Sequence, residues 1–273
     1  YGSMFSVSQM LQQSHPEFWF PPDWAGKRLW LSTILVVAIG VSVYPHAIQR
    51  IYAARDAVTL RKSLQVMVFM PFITTFFMLI VGLVGASQIP GLDNTTSEQI
   101  SILLLNDLSQ KIPNVSWLLV IFLGAAIAAI MSTVDSALLA ISSIVTQDIY
   151  YKIKPRSSQS HLLIVGKLVS WIIMGAAVIM AIKLPQTIWI LFQIKLELLC
   201  QIAPAVYLGV HIQSINSKPV LLGLLVGTLT SIYIMISHWL GFPIPAKPMG
   251  IHAGLWGLIF NCLTIFYFTQ IKK

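Results

Sequence analysis

The chain has 273 residues, of which 56% are hydrophobic and 10% charged, whereas a soluble domain carries about 25% charged residues. Together with a mean hydropathy of +0.80, this excludes a soluble globular protein and places most of the chain in lipid. The excess of 17 Lys and Arg over 9 Asp and Glu, a net charge of +8, marks basic loops rather than a nucleic-acid surface in such a protein, and Cys200 and Cys262 lie in apolar runs that exclude a disulfide framework, structural zinc and redox chemistry.

The chain opens Tyr1-Gly2-Ser3-Met4, without an initiator methionine or a signal segment. It reads as the interior of a longer chain, with residues 1–30 an outer segment of polar and aromatic residues preceding the first span. Spanning a bilayer takes roughly 20 apolar residues, and seven runs qualify: 31–49, 64–86, 116–146, 161–182, 187–210, 219–240 and 253–271. The predicted fold is all-α and membrane-embedded.

In the first run, Gly40, Ser42, Pro45 and His46 interrupt an apolar helix near mid-depth. Proline lacks the helical donor and disfavours helix at Tyr44, and unwound backbone inside a membrane must line a cavity or be buried in protein. His46 is therefore either a substrate contact or a structural hydrogen-bonding group. The connection after the second run, Ser87 to Val115, carries Asp93, Glu98 and Asp107, and Ser97 to Lys111 reads as an amphipathic surface helix. The sequons at Asn94 and Asn114 read as chance matches.

The third run is too long to be only a span and is expected to continue as helix through Asp148 and Tyr150. On a helical period Ala129, Ser132, Thr133 and Ser136 share one face. Two adjacent hydroxyls and a small residue with a reachable carbonyl suit a dehydrated sodium ion, because hard cations prefer oxygen. Small and hydroxyl residues also serve helix packing, so both readings stand at this point. Asp135, one turn cytoplasmic of Ser132 and Thr133, either draws sodium along an exit path or anchors to a basic neighbour. In the fifth run Gln193, Glu197 and Gln201 recur every four residues and form one stripe, with Lys195 on another face. Intramembrane ionisable residues usually face a cavity or a partner. Here Glu197 either faces substrate or bonds to a neighbouring helix, and Lys195 snorkels in the second case.

Orientation follows the basic residues of the loops. Arg50, Arg55, Arg61, Lys62, Lys152, Lys154, Arg156, Lys218, Lys272 and Lys273 fall on one side, against Lys27, Arg28, Lys111, Lys183 and Lys247 on the other. The first set is assigned to the cytoplasm, with the N-terminus outside and the C-terminus cytoplasmic in a multi-pass protein of the cell membrane. The tryptophans lie mostly near span ends, where they anchor to the interface. No Walker loop, His-Glu-x-x-His or Gly-x-Ser-x-Gly elbow occurs, and Asp148 lies too far along to pair with Asp135 as an aspartyl protease would need. The sequence therefore reads as that of a non-enzyme.

The run from Ala128 through Met131-Ser132-Thr133-Val134-Asp135-Ser136 to Tyr150 closely resembles the signature helix of the sodium/solute symporter family, the sodium-coupled proline, pantothenate and sugar carriers. Tyr44-Pro45-His46 through Asp56, followed by Leu60-Arg61-Lys62-Ser63, is similar to that family's broken helix and its cytoplasmic exit. Gln201 through Gly209, with Gly223 and Gly227, is a weaker third match. The resemblance implies a LeuT-type fold of two inverted five-helix repeats with the site between them. Residues 31–210 would be the second repeat and 211–273 two additional C-terminal helices, with the N-terminal repeat of the same transporter missing. It implies sodium ligands at Ala129 (carbonyl), Ser132 and Thr133 (hydroxyls). Substrate contacts are expected at Tyr44, Pro45, His46, Gln193, Glu197 and Gln201, and Pro45-His46 is the pair found in carriers of small carboxylates rather than sugars. The expected function is sodium-coupled symport of a small organic solute by alternating access, the partners being solute, sodium and lipid rather than nucleic acid. A sensory input module of the same fold and a sodium-independent uniporter or channel are the alternatives.

Overall fold

The computed structural model describes residues 3–112, 114–183, 187–212 and 215–270. Among them the elements are helical, without strands: α1 Met4–Ser14, α2 Trp24–Ser42, α3 Pro45–Tyr52, α4 Ala57–Gln88, α5 Asn94–Ser97, α6 Ile100–Lys111, α7 Ser116–Ser143, α8 Tyr151–Ile153, α9 Gln159–Lys183, α10 Ile188–Leu199, α11 Ala203–His211, α12 Ser217–Trp239 and α13 Ala253–Gln270. Among the described residues six stretches are long and apolar enough to cross a membrane, namely Trp24–Ser42, Ala57–Gln88, Ser116–Ile153, Gln159–Lys183, Ile188–Gly209 and Ser217–Ser237, and Ala253–Thr269 is a shorter apolar helix. The protein is an all-α, multi-pass membrane protein. Lys272 and Lys273, part of the basic set used for orientation, lie outside the described residues.

The first span differs from its sequence boundaries. It begins at Trp24 rather than 31, because Asp23 caps it by accepting the Gly26 N–H at 2.7 Å. Lys27 and Arg28 sit in its opening turns, where long basic side chains reach past the lipid boundary. It ends at Ser42 rather than 49, and the chain restarts as α3 at Pro45. Gly40 and Ser42 are helical, so the break is confined to Val43 and Tyr44.

The third span continues from α7 through a π-helical segment, Ile144–Tyr150, into α8. The surface helix α6 starts at Ile100, and Asp93 caps the short α5 before it. The fifth span is not continuous. α10 gives way to a 3-10 turn at Cys200–Ile202 before α11 begins, with Pro204 in the opening turn where no helical donor is needed.

The chain divides into two compact units, Tyr1–Trp19 with Gln49–Thr187, and Phe20–Ile48 with Ile188–Lys273. In the first, α1 and α6 pack on α4, and α7 packs on α6 and α9. In the second, α12 and α13 form an antiparallel pair, and α10 packs on α2. The α12–α13 pair is tight because Gly227 and Gly257 face each other: a Cβ on Gly227 would lie 2.8 Å from the Gly257 carbonyl and 2.7 Å from Asn261 Cβ. Small residues at such crossings are how membrane helices gain close packing without a hydrophobic driving force.

Candidate functional site

In the first unit, α7 carries the hydroxyl face. Thr133 Oγ1 donates to the Ala129 carbonyl at 3.0 Å, and Ser136 Oγ donates to the Ser132 carbonyl at 2.9 Å. Ala129, Ser132 and Thr133 are exposed. Thr133 spends its single hydrogen on a carbonyl one turn back, which leaves its hydroxyl oxygen as an acceptor. Among the described residues no cluster of three His, Cys, Asp or Glu could hold a metal ion. The groups that Ala129, Ser132 and Thr133 offer a cation are neutral hydroxyl and carbonyl oxygens.

Asp135 lies beside a groove of about 460 Å³ between α7 and α9, also lined by Ser142, Thr146, Lys167 and Ser170. Among the described residues the buried Thr146 hydroxyl there has no hydrogen-bond partner. It belongs to the π-helical segment, and such distortions recur at functional sites.

In the second unit, the break and α10 bring several expected residues together. The Tyr44 and His46 rings meet edge to face, with centroids 4.1 Å apart. Lys195 Nζ lies 4.8 Å from the Tyr44 ring centroid and 4.5 Å from that of Phe192. The helices approach closely because Gly40 has no side chain: a Cβ there would lie 3.0 Å from the Leu196 carbonyl. Gln193 is half-buried on α10.

Glu197 and Gln201, from the same stripe, are placed differently. Glu197 is only 5% exposed. Its Oε1 is 2.7 Å from His252 Nδ1, and its Oε2 accepts the Gly254 N–H at 3.1 Å. His252 Nε2 lies 3.0 Å from Thr33 Oγ1, whose own hydrogen goes to the Leu29 carbonyl at 2.8 Å. The imidazole thus bridges the Glu197 carboxylate and the Thr33 hydroxyl. Gln201 is fully buried. Its Nε2 donates to the Gly254 carbonyl at 2.8 Å and to Ser231 Oγ at 3.1 Å, while Asn261 Nδ2 donates to the Gln201 carbonyl at 2.8 Å. Through these bonds Glu197 of α10 and Gln201 of the 3-10 turn tie the fifth span to α2, α12 and α13.

Sequence reasoning missed His252, Thr33, Ser231 and Asn261 as members of this cluster. A histidine just before an apolar helix was the available signal for the first. Nothing in the local pattern marks the others.

Comparison with known proteins supplies the last observation. The profile of the sodium:solute symporter family matches residues 24–227. The chain is 31% identical over 128 residues to the sodium/pantothenate symporter of Haemophilus influenzae, covering 46% of this chain and 25% of that protein. It is 25% identical over 253 residues to the osmoregulated proline transporter OpuE of Bacillus subtilis, covering 89% and 48%, and 24% identical over 267 residues to the symporter YhjB of the same organism, covering 96% and 53%. The chain thus spans about half the length of the relatives it matches over most of its own. No solved structure matches it. The three relatives are named as transport proteins, and the family profile covers the broken first span, the hydroxyl face of α7 and the α10–α11 segment; the chain belongs to the sodium:solute symporter family.

Proposed function

We propose that this chain is the sodium-binding portion of a sodium-coupled symporter for a small, carboxylate-bearing solute, working by alternating access. The observation that carries the reading is the signature run on α7, where the Thr133 hydroxyl and the Ala129 carbonyl are 3.0 Å apart on an exposed face with Ser132. Sodium bound there stabilises the state that receives solute from outside, and the inward gradient drives release past Asp135 into the cytoplasm. The pantothenate and proline named in two relatives are both carboxylates, which supports that solute class.

In this reading Tyr44, Pro45, His46 and Gln193 border the solute cavity. Glu197 and Gln201 serve it from behind, by fixing the helix that carries Gln193. The fold is the second repeat of a LeuT-type transporter followed by two further helices, with the N-terminus outside and the C-terminus cytoplasmic. The first repeat supplies the opposite wall and the remaining sodium ligands, since sites in such folds lie between repeats. The 273-residue chain by itself is therefore expected not to concentrate solute.

The test is uptake of proline, pantothenate and short-chain carboxylates into liposomes under an imposed sodium gradient. The full-length protein should accumulate at least one of them, and the isolated chain should accumulate none. Uptake by the full-length protein that is indifferent to sodium would assign a uniporter or channel instead.

A further inference from the structure

The unusual charge in the second unit is Lys195. It stands inside the span Ile188–Gly209, half-buried, where an ionised side chain is costly and ordinarily pairs with an opposite charge. Among the described residues no carboxylate lies within ion-pair distance of it. Glu197, two positions on, is occupied by His252 and the Gly254 N–H. What holds the ammonium is a pair of aromatic faces, Tyr44 at 4.8 Å and Phe192 at 4.5 Å. Cation–π contacts stabilise a cation without neutralising it, and they leave N–H donors to point elsewhere. Tyr44 is also the residue at which the helix breaks, next to the restart at Pro45.

We infer that Lys195 is the residue that takes the solute's carboxylate, with Tyr44 and Phe192 holding its ammonium in place beside the break. The inference rests on the carboxylate-bearing solute of the proposed function and deepens it. It assigns the counter-charge of Lys195 to the cargo: the aromatic rings hold the cation, and a carboxylate arriving at the break completes an ion pair in a partly dry environment. Selection then follows from charge, because a neutral analogue of the same shape leaves the cation as it was.

The test compares Lys195→Met and Lys195→Arg in the full-length protein. Binding is read as the thermal shift produced by proline, pantothenate and acetate, each set against its uncharged amide. Wild type should be stabilised by one or more of the carboxylates and not by the matching amides. Lys195→Met should weaken that binding at least tenfold while folding normally, since it removes a costly charge from the span. Lys195→Arg, which keeps the charge and stacks on aromatic rings, should retain more affinity than Met. Equal carboxylate affinity in wild type and Lys195→Met, or amides binding as well as their acids, would overturn the assignment. Sodium-driven uptake is measured on the same samples. Loss of sodium dependence with carboxylate binding and its Lys195 requirement intact would sink the symport reading and leave this one standing.

Discussion

The hydroxyl face of α7 and the polar cluster joining α10 to α13 use similar groups, yet find their partners at very different distances along the chain. On α7, Thr133 and Ser136 bond to carbonyls four residues back, Thr133 exposed and Ser136 half-buried. In the cluster, Glu197 reaches His252 and Gly254, and Gln201 reaches Ser231 and Gly254, all buried. A locally satisfied exposed hydroxyl costs little to keep and can change partners when an ion arrives. A buried charge held by distant partners is expensive to disturb, and that expense fixes helix positions. The difference separates a face suited to binding from a lock suited to holding a wall.

The largest expected effect breaks the lock. His252→Ala leaves the Glu197 carboxylate buried with the Gly254 N–H as its remaining contact, and removing one partner of a buried pair costs about 3–5 kcal/mol. Thermal unfolding in detergent should show a loss of that order, and a change within error would mean that the pair does not hold the helices. Gly257→Ala comes next. Its Cβ would run into Ser231 Oγ and the Gly227 carbonyl, and overpacking of this kind costs about 1–3 kcal/mol. The same assay should register it, with cysteine cross-linking between α12 and α13 slowed.

A smaller effect is expected at the start of α4. The Thr59 backbone N–H bonded to Asp56 holds that carboxyl below its ordinary value, helped by the Thr59 hydroxyl. A carboxyl depressed on folding stabilises the protein above its unfolded pKa of about 3.9 and loses that contribution as pH falls through the lower folded value. The fall in melting temperature below pH 4 should therefore be shallower in Asp56→Asn than in wild type; identical acid profiles would show that the cap contributes nothing. At the small end, Thr133→Ala should change stability by no more than about 0.5 kcal/mol, as exposed substitutions do. A larger loss would make that hydroxyl a structural group like those of the cluster.

Legibility in the sequence followed the same division. Helical spacing places Ala129, Ser132 and Thr133 on one face because their relation is local, while their assignment to sodium rests on the family resemblance. The break is legible from Pro45, though too broadly: spacing alone does not tell that Gly40, against Leu196 of α10, and the exposed Ser42 remain helical. Glu197 and Gln201 were recognised as a stripe, but their partners lie more than fifty positions on in the case of His252 and Gly254, and periodicity carries no information about such pairings. The interruption after Leu199 was readable from Pro204 and was missed because the apolar run continues across it. The start of the first span was misplaced because Lys27 and Arg28 look like loop residues until Asp23 caps the helix before them.

The most direct test of the central claim is the sodium dependence of solute uptake by the full-length protein with Ser132 and Thr133 both replaced by alanine. Folding should be unaffected, because both hydroxyls are exposed, while the sodium concentration for half-maximal uptake should rise at least tenfold, about 1.4 kcal/mol of lost binding. A well-folded double variant with the wild-type sodium dependence would contradict the assignment of sodium to this face of α7.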